Sequence, residues 1–179
     1  MNIIIPSVCF TGHRPKKLYG YRSYEDWQPL MNTIYNVCKT LYEKYNTRTF
    51  ITGGAQGVDQ TAFWAIKWLK KDHNDINNIV YVPMPGQESR WMKDGVFSQD
   101  DYFKMLDAAD NYTILSQKPS VQALMDRNHA MVRDTKAVVA VWDGDKTGGT
   151  AECVKYADAM HRKIIHINPT TLKVVWLRK

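Results

Sequence analysis

Apolar residues recur along this chain in two rhythms, and the rhythms alternate. Short runs rich in β-branched and aliphatic residues fall at 7–11, 49–52, 79–82, 112–115, 137–142, 163–167 and 174–177. Between them stand longer stretches with apolar residues three and four apart, a spacing that puts one oily stripe on a helix. The stretch 27–45 is the clearest: Leu30, Ile34, Val37, Leu41 and Tyr45 share a face. Asp26 stands where an N-cap belongs, and Pro29 lies in the first turn, where proline is tolerated. Further helices are predicted over 58–71 (Ala62, Ile66 and Leu69 inward), 100–109, 120–135 with Ser120 as N-cap, and 150–162. The run 137–142 is apolar at every position, as a strand covered on both faces requires. Strands alternating with helices predict a mostly parallel sheet with helices on both faces. The expected fold is α/β, a single Rossmann-like domain over residues 1–179, with 174–177 at a sheet edge.

In open sheets of this kind, ligands bind beyond the carboxyl ends of the strands. The loops after strands are therefore where chemistry belongs. The first is Gly12-His13-Arg14-Pro15. Gly12 permits a close approach, His13 can donate to an anion, and the fork of Arg14 suits phosphate or carboxylate. The second, TFITGGAQGVDQ at 49–60, runs from a strand through glycines into a helix. Gly53, Gly54 and Gly57 there predict free backbone N–H groups at a helix start, a setting that favours phosphate. It matches neither G-x-G-x-x-G nor the P-loop. Asp59, in the first turn, answers the helix dipole or a ribose hydroxyl.

The segment after the third strand offers Gln87, Glu88, Arg90 and Trp91. Gln87 and Trp91 can hold a base by hydrogen bonding and stacking, or Trp91 can pack in the core. Arg127 and Asn128 lie within the helix over 120–135, beside Leu124 and Val132. The loop after 137–142 reads DGDKTGGTAE. Gly148, Gly149 and Thr150 form a second helix start suited to phosphate. Asp143, Asp145 and Glu152 can serve a hydrated divalent ion, act on a sugar, or stand solvated.

Composition narrows the partners. The 179 residues carry a formal charge of +6, which suits an anionic ligand. The basic residues come only in pairs such as Lys16-Lys17 and Lys70-Lys71, without the basic run expected of a nucleic-acid stripe. Cys9, Cys38 and Cys153 form no C-x-x-C and point to neither a disulfide framework nor a zinc site. No apolar run reaches 18 residues, and the first ten are too short and too interrupted by Pro6 for a secretion signal. A cytoplasmic protein without membrane contact is expected.

Taken in order, CFTGHRP (9–15), ITGGAQGVDQ (51–60), the 87–91 segment, LDAADNYTILS (106–116), RNHAMV (127–132), AVWDG (140–144) and GGT (148–150) resemble the SLOG superfamily. That group takes in the DNA-processing protein DprA and the LOG phosphoribohydrolases. The YpsA-like branch is the most similar. The resemblance implies a nucleotide or nucleotide-derived ligand in the crevice. Phosphate would be held by Gly53, Gly54, Gly57, Gly148, Gly149 and Thr150, with charge neutralised by Arg14 and Arg127. Gln87, Trp91 and Asn128 would contact base or sugar. Both arginines are expected to be solvent-accessible in the empty protein.

LOG enzymes cleave the N-glycosidic bond of nucleoside monophosphates, using a helix-borne arginine and a glutamate that follows a Pro-Gly-Gly-x-Gly-Thr turn. Arg127 is similar to that arginine, and Gly148-Gly149-Thr150 to that turn. The preceding proline and the interleaved glycine spacing are absent. Cys153 stands three residues after the threonine, where the acid belongs, and Glu152 is one short, a rotation of about 100° on a helix. A glycosidase using Arg127 with Glu152 or Asp143 is thus the alternative to nucleotide binding. DprA-like binding of single-stranded DNA ranks third. A divalent cation and a homo-oligomer stay open.

Overall fold

The computed structural model describes residues 3–178, so residues 1, 2 and 179 of the expected domain lie outside the described part. Seven strands and five α-helices alternate through it. The strands are β1 (Ser7–Gly12), β2 (Thr49–Thr52), β3 (Asn77–Val82), β4 (Asn111–Ile114), β5 (Ala137–Val141), β6 (Lys163–Ile167) and β7 (Val174–Arg178). The helices are α1 (Gln28–Tyr45), α2 (Val58–Leu69), α3 (Gln99–Ala108), α4 (Val121–Asp134) and α5 (Gly148–Ala159). One sheet runs in the order β4-β3-β2-β1-β5-β6-β7. Every pairing is parallel except β6 with β7, whose ladder shifts register between Ile164 and Ile165.

The period of two along the strands sends alternate residues to opposite faces. Val8 and Phe10 of β1, with Ala137, Val139 and Val141 of β5, join the core under α1 and α2. Cys9, Val138 and Ala140 face the other way, against Met131 and Val132 of α4 and Cys153, Val154 and Ala157 of α5. A third cluster puts Val80 and Val82 of β3 against Tyr102 and Met105 of α3. The sheet is covered on both faces, and so β5 is apolar throughout. No helix among the described residues is long and apolar enough to cross a membrane.

Local capping departs from expectation in one place. Asp26 does not cap α1; it pairs with Arg22 at 3.0 Å. The chain enters α1 through a 3-10 turn, Tyr24–Trp27, whose cap is Ser23: its hydroxyl accepts from the Glu25 amide at 3.0 Å. Ser120 caps α4 as expected, accepting from the Ala123 amide at 3.0 Å. α3 starts on a reciprocal capping box between Ser98 and Asp101.

From β1 the chain moves to β2, β3 and β4 on one side, while β5, β6 and β7 build the other. The strand order therefore reverses between β1 and β5. At such a point the two following loops diverge and leave a crevice over the carboxyl ends of the strands.

Candidate functional site

That crevice is a cleft of about 600 Å³. Its walls are the loop after β1 (Gly12, His13, Arg14, Lys16, Lys17), the exposed side of α4, and the start of α5. Asp59, Arg127, Asn128, Gly148, Gly149, Thr150 and Glu152 also line it. Most residues singled out from the sequence are thus brought together. Gly53, Gly54, Gly57, Gln87, Trp91 and Asp143 are not on this lining.

Arg127 sits at the floor, only 4% exposed, which corrects the expectation that it is solvent-accessible. Its Nη1 donates to the carbonyl of Gly53, its Nε donates to Asn128 Oδ1 at 2.9 Å, and Nη1 lies 4.0 Å from Asp59 Oδ2. Asp59 in turn accepts from the amide of Ala55 at 3.2 Å. Burial pushes the Asp59 carboxyl above its usual range, opposed by Arg127 and then Arg14. Burial likewise pulls the Arg127 guanidinium down, opposed by Asp59. The two charges offset one another, so the pair adds little net field to the cleft.

This pair also explains the glycine-rich loop. A methyl on Gly53 would overlap the Arg127 guanidinium, with Nε at 2.8 Å. Gly54 (φ 69°) and Gly57 (φ 89°) take the left-handed backbone that glycine allows. Asp59 occupies the Ala55 amide, Gln60 Nε2 donates to the Gly54 carbonyl at 3.4 Å, and Gln87 Nε2 to that of Gly53 at 3.4 Å. The protein's own side chains fill the turn where phosphate was expected, and the anion held there is Asp59. Gly12 lines the cleft, and its lack of a side chain also lets α2 pack against β1, since a Cβ there would come within 2.6 Å of Val58 Cβ.

Gln87 also donates to the Tyr102 hydroxyl at 3.2 Å, and Trp91 packs edge-on against that ring at 5.4 Å. Trp91 packs, partly buried, against the third core cluster and so takes the packing reading. A motif cannot show which face of the sheet its loop folds toward.

The loops after β1 and β5 are tied together. His13 Nε2 donates to Asp143 Oδ1 at 2.8 Å, because the carboxylate can only accept. Lys17 Nζ donates to Asp145 Oδ2 at 3.0 Å. Asp145 also accepts from the Thr147 amide (3.0 Å) and hydroxyl (2.9 Å). These bonds, the Thr147 amide first, hold the Asp145 carboxyl down at about 2. Among the described residues, no group of three His, Cys, Asp or Glu side chains converges as metal ligands would.

A pH response follows. Since the folded value lies below the ordinary 3.8, the link is complete above that value and is lost as pH falls through about 2. The Thr147 amide should stay protected from exchange at about pH 5 and lose roughly half of that protection at about pH 2, where Asp145 is half protonated. Equal protection at both would remove Asp145 as the clamp.

With its hydroxyl on Asp145, Thr147 makes no side-chain cap to α5. Nothing lies within 4 Å of a Cβ built at Gly148 or Gly149, so the first turn is open. Across from it stand Arg14 and Lys16; among the described residues, neither has a carboxylate within ion-pair distance. Three residues beyond the sequence reading matter here. Lys16 was visible only as half of a basic pair, and Val121 and Met125, both exposed on α4, were not singled out.

Thr150 is buried, and Glu152 and Cys153 both line the cleft. Cys153 is 1% exposed, and burial raises its thiol to about 11 against a bond with Thr11. It stays a neutral thiol at physiological pH, one that cannot act as a carboxylate would.

Comparison with known proteins agrees with this architecture. The YpsA family model, described as YspA SLOG family, matches residues 8–173. The uncharacterized SPbeta prophage-derived protein YoqJ of Bacillus subtilis (strain 168) is 36% identical over 140 residues, 72% of this chain and 80% of YoqJ. In fold, the chain is similar to DprA from Streptococcus pneumoniae, with a TM-score of 0.60 at 15% identity, covering 91% of this chain and 50% of that one. DprA from Helicobacter pylori gives 0.55 at 15% identity, covering 92% and 66%. The chain thus spans half to two thirds of the DprA chains, and the likeness at that identity is one of fold. On its match over nearly its whole length, the chain belongs to the YpsA family of SLOG proteins.

Proposed function

We propose that this protein binds a nucleotide or nucleotide-derived small molecule in the cleft, with phosphate at the first turn of α5 and Arg14 and Lys16 neutralising its charge. The observation that carries this reading is the pairing of an open helix start without a side-chain cap with two cations that, among the described residues, lack carboxylate partners, across one cleft at the strand-order reversal. Backbone amides and the helix dipole favour an anion there. The cleft volume suits a ligand of this size.

Binding is favoured over hydrolysis of the glycosidic bond. The position that would carry the LOG-type acid holds Cys153, a buried thiol. Glu152 lines the cleft but sits one position round the helix. Single-stranded DNA, which the H. pylori DprA binds, is the other reading. It needs aromatic platforms for successive bases, and no Trp or Tyr lines the cleft among the described residues.

Titration calorimetry against nucleoside mono-, di- and triphosphates, with mass spectrometry for released base, tests the proposal. Binding without base release is expected. Arg14→Ala should weaken binding by roughly 1.5–3 kcal/mol, about 10- to 150-fold, with the melting temperature unchanged because Arg14 is exposed. Release of base that vanishes in Glu152→Gln would replace the binder with a hydrolase. Oligonucleotide binding in the absence of mononucleotide binding would favour the DNA reading.

A further inference from the structure

The cleft has a second, chemically different wall. Val121, Leu124 and Met125 of α4 line it, one turn apart on the same helical face, with Asn128 next in the series. Val121 is 77% exposed and Met125 37% exposed, although both are apolar and both face a cleft rather than the core. The opposite side is the cationic loop with Arg14 and Lys16. An anion alone would fill that side and leave these side chains in water.

Asn128 adds direction. Arg127 Nε is a donor only, so the Asn128 atom that meets it at 2.9 Å is Oδ1. Its Nδ2 is left as a donor, and among the described residues it has no acceptor. His129, the next residue along this wall, buries an Nε2 that likewise lacks a partner among the described residues, while its ring stacks on Tyr156 at 3.9 Å. An aliphatic ledge beside an amide donor and an unpartnered ring nitrogen matches a flat heteroaromatic ring with polar atoms at its edge. It does not match an acyl chain, which would leave both polar groups without partners.

We infer that the Val121–Leu124–Met125 ledge is a nucleobase subsite, with the ring lying on the three side chains and its edge accepting from Asn128 Nδ2. This rests on the phosphate reading above and names the other end of the same ligand. No aromatic stacking is involved, so the ring is held by burial of aliphatic surface and by its edge.

The test compares nucleoside 5′-monophosphates of all four bases with ribose 5-phosphate, by calorimetry, in wild type and in the double variant Val121→Ser/Met125→Ser. Both sites are exposed, and an unchanged melting temperature verifies that the variant folds. Wild type should bind at least one nucleotide tighter than ribose 5-phosphate, by roughly tenfold or more. The double variant should lose that advantage and keep its affinity for ribose 5-phosphate. Equal wild-type affinities, or an advantage that survives in the variant, would overturn the base subsite and leave the phosphate reading standing. Binding of neither compound would overturn both.

Discussion

Arg127→Met should lower the free energy of unfolding by about 3–5 kcal/mol, because it breaks a buried ion pair from one side. At this chain length that corresponds to a fall in melting temperature of roughly 10 °C. Three losses coincide. Asp59, buried beneath the cleft, loses the guanidinium 4.0 Å away that opposes the cost of its burial. The carbonyl of Gly53 loses its Arg127 donor, and Asn128 Oδ1 loses its own. Adding Asp59→Asn to Arg127→Met removes the unpaired carboxyl group and should recover part of the loss. A melting temperature within about 2 °C of wild type for the single variant, less than 1 kcal/mol at this size, would show that the pair contributes little. The contrast with Arg14→Ala is diagnostic: two arginines in one cleft, one supporting the fold and the other free to meet a ligand.

Gly53→Ala is the second large effect, at about 3 kcal/mol, the upper end for overpacking a filled site. The new methyl would overlap the guanidinium of Arg127, which is 4% exposed and held by Asn128 at 2.9 Å. It has nowhere to withdraw without giving up its bonds. The cost should therefore depend on Arg127 itself. In the Arg127→Met background, the same substitution should cost less than about 1 kcal/mol, a coupling that a double-mutant cycle measures directly. Additive losses would mean that Gly53 is required for backbone reasons unconnected to the guanidinium.

Much of the fold was legible because periodicity answers to burial. The wholly apolar run at 137–142 marked the central β5, and the stripe of Leu30, Ile34, Val37 and Leu41 marked the buried face of α1. The cleft was legible in outline, since loops after strands meet at the strand-order reversal. Occupancy was not. ITGGAQGVDQ shows that a turn has room beside it, but not that Asp59 and Arg127 take that room. The same limit left open whether Trp91 packs in the core or meets a base. Exposure of Val121 and Met125 was invisible for the opposite reason: apolar residues at helical spacing look alike whether a sheet or a solvent-filled cleft faces them.

The two links across the mouth of the cleft join residues 130 and 128 positions apart, and β1 pairs with β5 across the same span. As the chain leaves the ribosome, β1 can therefore dock on β2 early, yet its other edge stays unpaired until residue 137 and beyond emerge. Long-range closure of this kind comes late and leaves a sticky strand edge exposed meanwhile. A nascent or truncated chain ending before β5 carries every glycine of the 51–60 motif but neither β5 nor the start of α5, so the cleft is complete only once roughly the last quarter of the chain has emerged.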